Sequence, residues 1–136
     1  PGDVRLLVAR QNGKTLAVLY RPKVKGFTGQ PTVSTSPTGQ ESFDTIEVVE
    51  SVGLEYRKTD TGFQAVVTVP LPLLGLSLTP GQSLKMDLGY IFGNAEGTRA
   101  AKRLYLNNDS FSANVVDDIP NESRLEPAEW GTATVE

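Results

Sequence analysis

From Leu84 to Phe92 large apolar side chains recur at every second position: Leu84, Met86, Leu88, Tyr90 and Phe92 alternate with Lys85, Asp87 and Gly89. Successive side chains of an extended chain point to opposite faces, so this spacing gathers the apolar set on one side of a strand. A helix would scatter the same residues around its axis. The pattern predicts one half-buried strand over 84–92. It also puts Met86 in the core, in phase with Leu84 and Leu88, and not at a haem iron.

The same rhythm recurs along the chain, with turn chemistry in between. Residues 3–10 and 14–21 flank Asn12-Gly13, two residues that tolerate the positive φ of a type I′ hairpin turn. Residues 22–43 hold Pro22, Pro31 and Pro37 with glycines among Ser and Thr, which predicts a long surface excursion with little regular structure. Residues 46–59, broken by Gly53, lead through Asp60-Thr61-Gly62 into a strand over 63–69, with Phe63, Ala65, Val67 and Val69 on one face. Pro70 and Pro72 cannot donate to a ladder, so the compact leucine run after them predicts a single helical or 3-10 turn ending at Gly75. Pro80-Gly81 predicts a turn, 93–97 a loop, 101–107 a strand, and 108–129 an irregular polar stretch with a short turn between Pro120 and Pro127. Trp130-Gly131 opens a final strand over 131–136. About seven strands with such spacing predict an all-β fold: an antiparallel β-sandwich, jelly-roll-like, with little helix.

A chain of 136 residues fits one domain, 1–136, with enough buried surface for a core of its own. It contains no Cys and no His. Disulfides, zinc–thiolate sites and Ser–His or Cys–His catalytic pairs are therefore excluded, and any chemistry is left to carboxylates, Lys, Tyr or an oxygen-bound metal. The net charge is −3, and Arg99, Lys102 and Arg103 are too sparse to track a phosphate backbone, so nucleic acid is not an expected partner. The apolar run 65–76 is interrupted by Thr68, Pro70 and Pro72, so no membrane-inserted helix is expected. The opening Pro1-Gly2-Asp3 shows no leader and no Met, as expected of a piece cut from a longer protein or of a processed terminus.

The segments GDVRLLVA, AVLYRP, GFQAVVTVPLPLLGL, DLGYIFGN, RLYLNN and DIPNESRLEPAEWGTATVE, in that order, resemble the C-terminal part of family 9 carbohydrate-binding-module-like domains. The PLxxLGL corner after a strand and the P-x-x-WG before the last strand are its most specific pieces. The resemblance spans most of the chain and implies a noncatalytic β-sandwich from an exported bacterial multidomain protein, extracellular or periplasmic. It also implies a module truncated at its N-terminus, since such domains begin with earlier strands. A run that often reads Tyr-Trp-Asn in these domains reads Tyr105-Leu106-Asn107 here.

Sugar recognition needs an aromatic platform and polar groups for the hydroxyls. Arg103, Tyr105, Asn107, Asn108 and Asp109 form a polar and aromatic cluster at a strand end, where sandwiches carry function; the same residues also read as plain turn chemistry. Trp130, the only Trp, reads as a second platform or as the anchor of the final strand. Asp117 and Asp118 are the candidate metal ligands, and structural calcium occurs in the modules the chain resembles; a solvated acidic loop is the other reading. Glu47, Glu50, Glu55 and Asp87 are the carboxylates open to a glycosidase reading, though on strands they belong on an outer face.

The expected function is a noncatalytic carbohydrate-binding-like module, with loops 93–98 and 105–118 meeting the sugar. The alternative is a structural or protein-interaction sandwich that has lost the sugar site, with Leu106 as the feature favouring it. A homodimer or a neighbouring domain would cover any edge left open.

Overall fold

The computed structural model describes residues 2–109 and 118–136. The fold is all-β and antiparallel: 49% of the described residues lie in strands and 10% in helix. Among the described residues eleven strands form five small sheets, one of three strands and four of two. These pairings do not by themselves join the hairpins into two layers. The chain divides into two compact units, 1–32 with 42–77, and 33–41 with 78–136.

In the first unit, β1 (Arg5–Gln11) and β2 (Lys14–Arg21) pair from Arg5↔Tyr20 to Gln11↔Lys14, leaving Asn12-Gly13 as the two-residue turn. Both turn residues have positive φ, 50° and 80°, as the type I′ expectation requires. β5 (Thr45–Val48) adds to the far edge of β2. Alternate residues Ala17 and Leu19 point inward and are buried with Phe43 and Val52, and the Tyr20 ring meets Phe43 edge-on at 5.2 Å. The leucine run forms a 3-10 turn, Leu71–Leu74, closed by Gly75 as expected. The Arg21 guanidinium donates to the Leu73 carbonyl at 2.5 Å and ties that turn to the sheet.

Three expectations need correction. The stretch 22–43 is not irregular throughout: β3 (Thr32–Ser36) and β4 (Gly39–Phe43) form a hairpin around Pro37-Thr38. Its Ser and Thr residues read as loop in sequence, yet β-branched Thr and Val suit a pleated strand. Second, β6 (Gly53–Thr59) and β7 (Gly62–Thr68) pair as expected around Asp60-Thr61, but every residue of β7 is exposed. Tyr56 stacks on Phe63 at 5.6 Å on a face left open to solvent.

The third correction concerns the second unit. The alternating run 84–92 is two strands, β8 (Ser83–Met86) and β9 (Gly89–Gly93), broken at Asp87-Leu88. β8 pairs with β11 (Gly131–Thr134), and β9 with β10 (Ala100–Tyr105). Leu88, assigned by phase to the buried face, is 62% exposed. The stretch read as irregular holds a short helix α1 (Ile119–Ser123) and a 3-10 turn (Pro127–Glu129). The most buried side chains of this unit are Arg103, Asn108, Pro120 and Ser123, a largely polar set.

Candidate functional site

The register Tyr105↔Gly89 and Leu104↔Tyr90 brings the start of β9 against the end of β10, and the Leu106 N–H donates to the Leu88 carbonyl at 2.8 Å. On this surface lies an open trough of about 430 Å³ lined by Leu88, Gly89, Tyr90, Leu104, Tyr105 and Leu106. Leu104 is 55% and Leu106 74% exposed. The Tyr105 ring covers Gly89 closely: a Cβ there would lie 2.5 Å from its Cδ1 and 2.7 Å from its Cζ. Glycine at 89 is what allows the ring to settle onto the neighbouring strand.

At the break between β8 and β9, next in sequence to Leu88, Asp87 gathers several donors. Its Oδ1 accepts from the backbone N–H of Leu88 at 2.9 Å, the backbone N–H of Asn107 at 3.0 Å and the Asn107 amide at 3.1 Å. Its Oδ2 accepts from the Asn108 N–H at 3.1 Å. These bonds explain why the alternating run breaks here, since the carboxylate draws donors that a continuous strand would spend on its ladder. The Asn107 amide also lies against Gly131, where a Cβ would meet it at 2.6–2.8 Å. Asn108 is buried and donates to Glu126 at 3.0 Å.

The structure thus brings Tyr105, Asn107 and Asn108 together and separates the other candidates from them. Asp109 is exposed beyond the strand end. Trp130 is half-buried, does not line the trough, and accepts at its carbonyl from the Lys85 ammonium at 3.2 Å. Arg103 is 1% exposed and ion-paired with Glu122, so its guanidinium does not face solvent.

Asp118 caps α1, its Oδ1 accepting from the Asn121 N–H at 2.9 Å. Its Oδ2 accepts from the Thr38 hydroxyl at 2.6 Å and the Ser36 hydroxyl at 3.1 Å, at the tip of the β3–β4 hairpin. The Thr38 bond foremost, then the Asn121 N–H, Ser36 and the Arg103 charge, hold the Asp118 carboxyl below its ordinary value of 3.8 against partial burial. Nearby, Arg124 pairs with Glu41 at 2.8 Å. Each Asp118 oxygen thus accepts from at least one hydrogen-bond donor. Among the described residues no three acidic groups converge on one point. Asp117 lies outside the described residues.

The remaining carboxylates are dispersed. Glu47 lies 4.0 Å from Arg21, while Glu50 and Glu55 are exposed. Glu55 borders a shallow depression of about 390 Å³ on the β6–β7 hairpin, with Tyr56, Arg57, Gln64 and Val66. No helix among the described residues is long and apolar enough to cross a membrane. Sequence reasoning missed Leu88, Tyr90 and Leu104 as trough walls, and Glu122 and Glu126 as partners of buried groups. A glycine facing an aromatic, as Gly89 faces Tyr105, is a usable signal only once the pairing is known. Comparison with protein-family models, with curated proteins and with solved structures finds no match to this chain.

Proposed function

We propose that the chain is a noncatalytic carbohydrate-binding-like module of an exported multidomain protein, with the β9–β10 trough as its sugar-binding surface. The observation that carries this reading is the open apolar trough in which Tyr90 stands on one strand face with Leu88, Leu104 and Leu106. A pyranose offers an apolar face to an aromatic ring, and Tyr90 with its aliphatic neighbours supplies a surface of that kind. The resemblance to family 9 modules supports the same reading.

Affinity electrophoresis against mixed-linkage β-glucan, xylan, laminarin and galactomannan tests the proposal. At least one should retard the protein, Tyr90→Phe should retain that retardation, and Tyr90→Ala should weaken it about tenfold, as expected when a stacked ring and its buried area are lost. A protein that runs unretarded in every gel refutes it. A second reading, a protein-interaction surface, is favoured by one feature: Leu88, Leu104 and Leu106 present a contiguous aliphatic strip in place of a further aromatic platform. Under that reading all four gels leave the chain unretarded, while Leu106→Ser abolishes capture of a protein partner.

A further inference from the structure

We infer that β7 is a self-association edge, pairing antiparallel with β7 of a second copy of this chain about a twofold axis at Val66. β7 belongs to the first unit and the trough to the second, so sugar binding is not assumed. Among the described residues β7 has a strand on one side only, β6. Its seven residues, GFQAVVT, carry no charge and no proline, run in unbroken register, and are all exposed. Sheet edges that natural proteins leave open are blunted by charges, proline, bulges or shortness. The other edges of this unit follow that rule: β1 carries Arg5 and Arg10, β6 carries Glu55, Arg57 and Lys58, and the four-residue β5 carries Glu47. β7 has none of these devices.

The turn decides which backbone groups face outward. Thr59 and Gly62 flank the two-residue turn and exchange both ladder bonds, so Gln64, Val66 and Thr68 bond to β6. Ala65 and Val67 direct their N–H and C=O the other way, and neither meets another backbone partner among the described residues. Pairing centred on Val66 joins Ala65 to Val67 of the second copy through both bonds, and the twofold axis repeats the pair. It sets Val66 opposite Val66 and Gln64 opposite Thr68, like against like, the cross-strand matches that stabilise a sheet. Centred on Ala65, the strand would set Val66 against Gln64. The partner is a second copy because this strand complements its own reverse, with no charge to oppose its like. Growth stops at two copies, since the new outer edges are the two β6 strands with their charged residues. One strand pair buries less than the ~1,000 Å² of a stable interface, so the dimer is weak, with a Kd above ~1 µM.

Sedimentation equilibrium of the intact chain tests this, and should show a monomer–dimer equilibrium between about 10 µM and about 1 mM. A chain that stays monomeric throughout overturns the inference. Val66→Lys sets two ammonium groups opposite one another and should weaken the dimer about tenfold or more, as should Val66→Glu with two carboxylates. An equimolar mixture of the two variants should associate again, as a heterodimer. Val66 is 48% exposed, so either substitution should leave the melting temperature of the monomer within about 2 °C. A dimer that both variants retain, or a mixture that associates no better than either alone, overturns the inference. Cross-linking reads the register without added charge. The chain has no Cys, so Val66→Cys supplies a single thiol, and opposed residues of a non-hydrogen-bonded pair lie ~4.5 Å apart at Cα, within disulfide reach. Under mild oxidation Val66→Cys should form a covalent dimer. Gln64→Cys, on the same face but opposite Thr68 of the second copy and far from its own equivalent, should not. Equal cross-linking at the two positions overturns the inference, and this pair decides should the charged variants not fold.

Discussion

The contact between Gly89 and Tyr105 sets up a substitution whose sign depends on its background. Gly89→Ala places a methyl 2.5 Å from Cδ1 of the ring, where ordinary van der Waals contact begins at 3.4 Å. The atoms are about 1 Å too close, and the ring is no flexible tip that can swing aside, so either the strand pair opens or Tyr105 leaves Gly89. Overpacking of this kind costs about 1–3 kcal/mol. In a chain of this length each kcal/mol is worth about 3–4 °C of melting temperature. In a Tyr105→Ala background the obstacle is gone. Gly89 does not occupy the left-handed region, so alanine fits its backbone. There Gly89→Ala should be neutral or stabilising by about 0.4–1 kcal/mol, through the lost freedom of the unfolded chain. Thermal and urea melts of the four proteins read the cycle. An equal loss in both backgrounds would refute the contact as the cause.

Three further outcomes are expected. Glu122→Ala removes the charge facing the 1%-exposed Arg103, and because the Glu122 side chain is itself 21% exposed the loss should be about 2–3 kcal/mol in a urea melt; less than ~0.5 kcal/mol would show that the pair is not structural. Asp118 has its folded carboxyl below 3.8, so the stability from its ionised form is present above that value and lost as pH falls through the lower folded value. The melting-temperature gap between wild type and Asp118→Asn, which keeps the helix cap, should be constant from about pH 5 upward and shrink below 3.8; a gap that widens in acid contradicts the sign. Leu106→Ser alters a 74%-exposed side chain, so stability should move by no more than ~0.5 kcal/mol while retention on the affinity gel falls. Equal retention would remove Leu106 from the contact surface.

What the sequence determined by itself were the features written in local chemistry. Asn12-Gly13, the PLPLLG corner and Pro80-Gly81 form their turns because φ preferences and short-range hydrogen bonds act within four or five residues. The all-β class followed from period-two alternation for the same reason. Tertiary structure alone decided what depends on partners far along the chain. The alternation over 84–92 predicts one strand, yet Asp87 breaks it because its donors, Asn107 and Asn108, arrive from 20 and 21 residues away. Arg103 and Asn108 read as surface polar residues until Glu122 and Glu126 supply the charge and acceptor that let them be buried. The packing of the Tyr105 ring required the unforeseen match with Gly89 across the ladder. A polar side chain can be buried, and a ring held in place, only after its complement has been delivered by the fold, and no window along the sequence contains both halves.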